Sequence, residues 1–373
     1  MKFSVKKEIL LQSLNSVSKA LSNKNLIPIL SGIKFNLTKN GLFLSASDND
    51  ISIESFIDNS KLESIDEIGS TVINGKYILD IVRKLQGKIV NIELLDNIKL
   101  MISCGNSEFN LNSMDSSEFP NLDLEEKKDP VIINKEDFKS LINKTSFAVS
   151  TQENRPILTG INFNIDKDKL ECVATDSYRL AKKCCKIEKE AKETLNIVIP
   201  GKNLIELTKI IEDNKNNIEM HIFTNKVLFK FDNTLFQTRV LSGNFPDVNR
   251  LIPSSFDLEI TAELNEFYNV IDRASLLTNE KDKNIVKFEC EGNNLIISSN
   301  SPEIGKVEEK MSVTKNNENN IKIAFSSKFM MDALKTIESE NSIIKFNGDV
   351  NPIIIVDEKD DSLLQLILPI KTY

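Results

Sequence analysis

The chain has no tryptophan, one histidine, 12 glycines and 10 prolines in 373 residues. Any Ser-His-Asp or Cys-His site would have to be built around His221, which lies in the alternating stretch Glu219 to Phe231 and reads as a structural or solvent-facing strand residue. The cysteines Cys104, Cys172, Cys184, Cys185 and Cys290 are odd in number and contain no CxxC, so neither a disulfide framework nor a zinc site is expected. Reduced thiols in a cytoplasmic protein follow. No run reaches the ~20 apolar residues of a membrane span, and Met1-Lys2-Phe3-Ser4-Val5-Lys6-Lys7 leads into polar-interrupted sequence unlike a signal peptide. Gly75-Lys76 and Gly201-Lys202 lack the upstream Gly and following Ser or Thr of a phosphate-cradling loop, and are expected as strand-to-helix turns. Asp48-Asn49-Asp50 lacks the Gly and terminal Glu of a calcium loop and reads as a β-turn. No cofactor, metal or catalytic constellation is expected.

What is present is the composition of an ordinary globular chain, 40% hydrophobic and 27% charged, with a net charge of -8. That charge opposes general binding to nucleic acid or anionic lipid, so any polyanion contact has to be local. The length exceeds what one core supports. An internal repeat divides it: Pro28-Ile29-Leu30-Ser31-Gly32-Ile33-Lys34-Phe35-Asn36 returns as Pro156-Ile157-Leu158-Thr159-Gly160-Ile161-Asn162-Phe163-Asn164, with seven of nine positions identical. Ala46-Ser47-Asp48 matches Ala174-Thr175-Asp176, Glu118-Phe119-Pro120 matches Asn244-Phe245-Pro246, and a weaker third copy includes Lys287-Phe288-Glu289. Three domains follow, 1–128, 129–254 and 255–373, each large enough to bury its own core.

Helical spacing of apolar residues predicts six helices, through Leu10 to Leu21, Ile78 to Leu85, Phe138 to Thr145, Leu204 to Ile211, Leu264 to Ala274 and Met330 to Ile337. Alternating runs such as Ile92 to Met101, Glu219 to Phe231 and Ile343 to Val356 read as strands. Each domain is therefore α+β, two β-rich halves with one helix apiece. The helix windows sum to a net charge of +7, or +3 when three of them are extended, against -8 for the whole.

Ala174-Thr175-Asp176-Ser177-Tyr178-Arg179-Leu180-Ala181, Asn244-Phe245-Pro246-Asp247-Val248-Asn249-Arg250-Leu251-Ile252-Pro253 and the ending Leu368-Pro369-Ile370-Lys371 give the whole chain a close likeness to one family. It resembles the beta subunits of bacterial DNA polymerase III, the sliding clamps. The resemblance implies a homodimeric ring around double-stranded DNA of any sequence, helices lining the hole and sheets outside. Such a ring tethers the replicative polymerase, is opened by a clamp loader, has no catalysis of its own and binds other proteins bearing a clamp-binding motif.

It also implies a partner-peptide pocket between the second and third domains. Its positions here are Leu158, Thr175, Ser177, Tyr178, Arg179, Leu180, Pro246, Arg250, Leu251, Pro352, Leu366, Leu368, Pro369, Ile370 and Lys371. The expected occupant is a short peptide with an aliphatic or aromatic anchor and a hydrogen-bonding Gln. Ser177 and Tyr178 stand where some relatives have Gly-His, and Thr372-Tyr373 lengthens the tail. The DNA contacts implied are Lys24, Gln152, Arg155 and Lys202; Pro156 and Ile157 replace the tyrosines of some relatives, so base stacking is not expected there. The dimer joint implied pairs Phe109 and Leu111 with the region of Leu276 and Leu277 in the other chain.

If a ring is granted, helix spacing argues for two chains. Six helices spaced about 8 to 10 Å apart make a circle roughly 15 to 19 Å across at their axes, too small for a duplex about 20 Å wide. Twelve leave a hole of about 21 to 28 Å once helix thickness is subtracted. Two other readings compete: a peptide-binding scaffold that does not encircle DNA, and a hydrolase using Asp48 and Asp176. The match of those two aspartates across the repeat favours a shared turn instead.

Overall fold

A computed structural model describes residues 1–21, 27–96, 98–279 and 284–371. All six expected helices form: α1 Lys7–Val17, α2 Gly75–Lys84, α3 Lys135–Asn143, α4 Gly201–Thr208, α5 Leu264–Ser275 and α6 Ser327–Leu334. Each follows a strand without an intervening loop and precedes at least three more, so the chain is six successive strand–helix–strand modules. Gly75 and Gly201 are the first residues of α2 and α4, the strand-to-helix turns expected of them. The stretch Ile92 to Met101 is a hairpin rather than one strand, Ile89–Leu95 turning at Asp96 (φ 51°) into Lys99–Cys104. Glu219 to Phe231 and Ile343 to Val356 are likewise hairpins, Asn217–Ile222 with Lys226–Phe231 and Asn341–Phe346 with Ile353–Asp357. Both arms of a hairpin alternate, so period-2 hydrophobicity does not register the reversal.

Why α5 forms is representative. Phe267, Val270, Ile271 and Ala274 recur at helical spacing and are buried, while the Glu263 carboxylate accepts hydrogen bonds from the backbone N–H groups of Asn265 and Glu266. Its apolar face meets a core in which Phe288 is central, with ring centroids 6.2 Å from Phe267, 6.0 Å from Phe325 and 5.3 Å from Phe346. Each such buried ring contributes about 1.5 to 3 kcal/mol.

Contacts divide the chain into two compact units, residues 1–138 with 203–240, and 139–202 with 241–373. The first holds a 13-stranded sheet and the second a nine-stranded and a four-stranded sheet. In both, the strand that opens a module pairs with strands of its neighbouring module; Lys2–Lys6 pairs with Ile89–Leu95, and Gly69–Asn74 with Gly32–Thr38. The same exchange recurs in Val131–Asn134 with Asn217–Ile222, Leu195–Pro200 with Gly160–Asp166, Leu258–Glu263 with Asn341–Phe346, and Ile321–Ser326 with Ile285–Glu291.

The third strands of the triplets make a second kind of joint. Ile51–Asp58 of module one pairs with Thr234–Arg239 of module four, and Arg179–Lys186 of module three with Asp360–Ile367 of module six. Each joint spans three modules. The third strands of modules two and five, Ser107–Met114 and Gly305–Ser312, have no such partner among the described residues. Ser107–Met114 is bonded to Gly69–Asn74 only at Met114 and Ser113, which leaves one edge of residues 107–112 open.

The repeated sequence has a repeated physical cause. Gly32 and Gly160 each sit where a Cβ would run into a valine, Val72 or Val198, on the adjacent strand. Ser31 Oγ and Thr159 Oγ1 each donate to the carbonyl three residues back, at 2.7 Å. Asp48 Oδ1 accepts from the N–H groups of Asp50 and Ile51, and Asp176 Oδ1 from those of Tyr178 and Arg179. Both aspartates are therefore turn residues, with Asn49 and Ser177 at φ 75° and 78°.

One joint carries charge. Lys183 and Lys144, both nearly buried, converge on Asp360 beside Ser362. Partial burial alone would raise the Asp360 carboxyl, but the hydrogen bonds and charges of Lys183, Ser362 and Lys144 outweigh it and hold it down at about 2. The resulting stabilisation is complete above the ordinary value of 3.8 and fades as the pH falls toward 2. Asp360→Asn should cost about 1 to 2 kcal/mol at pH 7, allowing for solvent screening. The cost should shrink at pH 2, as urea midpoints would register; an equal loss at both pH values would contradict this linkage.

Candidate partner-binding site

Within the second unit, two apolar features share Leu368. The first is a small core of Val173, Leu180, Val248, Ile354 and Leu366, with Phe245, Ile252, Phe256, Val356, Leu364 and Leu368 partly buried against it. It forms because Leu180 and Leu366 are directly paired across the Arg179–Lys186 and Asp360–Ile367 joint. The segment 244–253 lies over it through Phe245, Val248 and Ile252, while Pro246, Arg250 and Leu251 remain exposed. The second feature is an open cleft of about 700 Å³ lined mainly by Tyr178, Phe329, Leu368, Pro369, Ile370 and Lys371. The tail is held in it by backbone hydrogen bonds, Leu368 N–H to the Tyr178 carbonyl at 2.9 Å and Ile370 N–H to the Ala324 carbonyl at 2.7 Å. An apolar lobe opening on a cleft of this size, with Lys328 and Lys371 at its edge, suits a short peptide.

Of the positions singled out from sequence, Tyr178, Leu180, Leu366, Leu368, Pro369, Ile370 and Lys371 fall in the lobe or the cleft, and Arg179 is not a free rim cation. Its side chain is 11% exposed, and all three guanidinium nitrogens donate: Nε to Asp176 at 3.0 Å, Nη1 to Asp332 at 2.7 Å and Nη2 to the Phe147 carbonyl at 2.6 Å. The guanidinium also lies over the Phe329 ring, 4.5 Å from its centroid. Arg179 thus backs the cleft by bracing one of its walls. Arg250 pairs with Asp247 and stays open to solvent. Thr175 is buried, its hydroxyl donating to the Arg179 carbonyl, and Ser177 and Tyr178 are exposed on the turn between them. Leu158 is buried in the turn Pro156–Thr159 and Pro352 precedes the strand Ile353–Asp357; among the described residues neither belongs to the lobe or the cleft.

Val173, Val248, Ile354 and Phe329 were not anticipated. Val173 shares a strand face with Lys169, Glu171 and Thr175, and Ile354 lies in the unbroken run Ile353-Ile354-Ile355, so alternation marks neither and the sequence carries no signal for them. Of the other positions singled out, Gln152, Arg155 and Lys202 are exposed and Lys24 lies outside the described residues, as do Thr372 and Tyr373. Phe109 is 40% exposed on the open edge, Leu276 is 74% exposed just past α5, and Leu277 is half-buried. Leu111 is also half-buried. His221 is buried rather than solvent-facing. None of the five cysteines is in a disulfide, and burial pushes the Cys172 thiol well above its ordinary range. No described helix is long and apolar enough to cross a membrane.

Comparison with known proteins gives three consecutive matches, to the N-terminal domain of the DNA polymerase III beta subunit over residues 1–123, its central domain over 132–247 and its C-terminal domain over 249–371. The chain is 40% identical over its full length, and that of the relative, to the beta sliding clamp of Staphylococcus aureus, and 41% to that of Staphylococcus epidermidis. Among solved structures, the DNA polymerase sliding clamp of Bacillus subtilis superposes with a TM-score of 0.95 at 41% identity, and the DNA polymerase III beta chain of Streptococcus pneumoniae with 0.95 at 34%, each over the whole of both chains. Built of three clamp domains, the chain belongs to the family of bacterial DNA polymerase III beta subunits, the beta sliding clamps.

Proposed function

We propose that two copies of the chain close into a ring around duplex DNA and tether the replicative polymerase, with no catalysis of their own. The observation that carries this reading is the pairing rule of the third strands. Modules one and four are joined, as are three and six, and the two left over, two and five, are also three apart. Pairing the open edge of residues 107–112 in one copy with Gly305–Ser312 in the other repeats that joint and, used twice, closes a two-fold ring. Phe109 and Leu111 lie on the first edge. Leu276 and Leu277 follow α5, which reaches the second edge through Arg273 and Glu309.

The domains of the ring are 1–128, 129–254 and 255–373. Exposed Lys76, Arg83 and Lys84 on α2, and Lys202, Lys328 and Lys335 on α4, α6 and just beyond, support a faintly basic bore on a chain of net charge -8. Lys24, Gln152, Arg155 and Lys202 are the proposed DNA contacts. A closed ring needs little affinity to stay attached, and few phosphate contacts mean little counterion release and free sliding. A cytoplasmic location follows from that role.

The lobe and cleft are the proposed seat of partner peptides from the polymerase, the clamp loader and other proteins with a clamp-binding motif. Removing residues 368–373 takes away much of the cleft but neither open edge. The truncated protein should fail to retain the polymerase in a pull-down while keeping its dimeric mass on sedimentation; a dissociated ring would refute that separation of surfaces.

A further inference from the structure

Glu219 and His221 lie two residues apart on the strand Asn217–Ile222 and so share a face, opposite the buried Ile218, Met220 and Ile222. The segment leading to Val131–Asn134 passes over that face. Lys226 holds Asp123 at 2.6 Å, Lys230 holds Glu126 Oε2 at 2.7 Å, and Lys127 Nζ donates to the Ile222 carbonyl at 3.1 Å. The imidazole beneath is 2% exposed. Its Nδ1 lies 2.8 Å from the Lys127 carbonyl oxygen and accepts from the Lys127 backbone N–H at 3.0 Å, two contacts that suit opposite tautomers; in the one that donates from Nδ1 to the carbonyl, Nε2 carries a bare lone pair.

That Nε2 is buried and has no hydrogen-bond partner among the described residues. It is aimed at two carboxylates: Glu219 Oε2 is 3.4 Å away, and one ligand atom each from His221, Glu219 and Glu126 lie within 4.8 Å of one another. In that tautomer Nε2 and the two carboxylates face one another as acceptors, with Lys230 held on Glu126 alone, and a cation between the three would relieve their repulsion. Donor atoms around a tetrahedral ion with bonds of about 2.0 to 2.1 Å lie roughly 3.4 Å apart. The His221–Glu219 separation already has that value. Glu219 and Glu126 are both substantially solvent-exposed, so their carboxylates have room to turn inward.

We propose that His221, Glu219 and Glu126 bind a divalent transition-metal ion of the zinc type. One imidazole nitrogen with two carboxylates suits zinc better than magnesium or calcium, which take oxygen ligands. The Lys127 carbonyl on Nδ1 is the outer partner that fixes a ligating histidine. Lys230 is the competing cation at Glu126. The ion would pin the connector ahead of Val131–Asn134 to the sheet that this strand enters. No sequence spacing announces the site, because Glu126 comes from a different part of the chain.

The test is a titration of Co²⁺ and Zn²⁺ into the full-length protein. One Co²⁺ per chain should bind, giving d–d bands without a sulfur-to-metal charge-transfer band. Glu219→Gln, at a half-exposed position, should weaken Zn²⁺ binding about tenfold or more. Lys230→Gln should strengthen it by up to ~5-fold by freeing Glu126, an effect that misfolding cannot mimic. Unchanged affinity in Glu219→Gln, weaker binding in Lys230→Gln, or a spectrum dominated by thiolate charge transfer would each overturn the proposal.

Discussion

A Leu276→Asp protein is expected to sediment as a single 42.1 kDa chain under conditions where the unmodified protein is a dimer. Leu276 is the most exposed of the large apolar side chains among the described residues, and in the proposed joint it is covered by the partner's Ser107–Met114 edge. An aspartate there would be buried without a counter-charge, at a cost of about 3 kcal/mol per joint. A two-fold ring has two such joints, so the penalty doubles to about 6 kcal/mol, roughly four powers of ten in the dimer constant. Ile68→Asp is the control, because Ile68 is also half-exposed but lies outside both open edges. If Ile68→Asp dissociates the dimer equally, or Leu276→Asp leaves it intact, the joint has been assigned to the wrong surface.

Arg179→Ala is expected to destabilise the chain by about 3 to 5 kcal/mol, because it leaves two carboxylates and a carbonyl without their shared donor. The affected groups, Asp176, Asp332 and the Phe147 carbonyl, come from a turn, from α6 and from the stretch just after α3. Phe329 loses the cation stacked on it, so the cleft wall loosens as well. Peptide affinity should therefore fall alongside the urea midpoint. Arg179→Lys keeps the charge but not the planar fork that meets three acceptors, and should fall between the two. An Arg179→Ala protein of unchanged stability would mean that these hydrogen bonds are replaced by water at little cost.

The sequence made the modules legible because each buries its own apolar stripe, so helical spacing alone located α1 to α6. It also made the repeated turns legible, since Asp48 and Asp176 do the same backbone work in two copies. Hairpin reversals were not legible, as at Asp96 and in the connection 347–352 around Gly348, where a positive φ turns the chain between two strands that are each apolar on one face. The commitment of Arg179 was also hidden, because Asp332 and Phe147 approach it only through the packing of α6 and the turn Ser146–Ala148. The same holds for the open edges. Ser107–Met114 and Gly305–Ser312 read in sequence like any other strand, and only the strand order shows that each has an edge with no partner among the described residues.

The ring itself is tested most directly by loading the protein, with its loader, onto nicked circular duplex DNA, washing at high salt and then cutting the circle. Salt removes whatever is held by phosphate contacts but not a closed ring. The account predicts retention on the circle through the wash and release once the DNA has ends to slide from. Equal retention on circular and linear DNA, or loss from both at high salt, would contradict it.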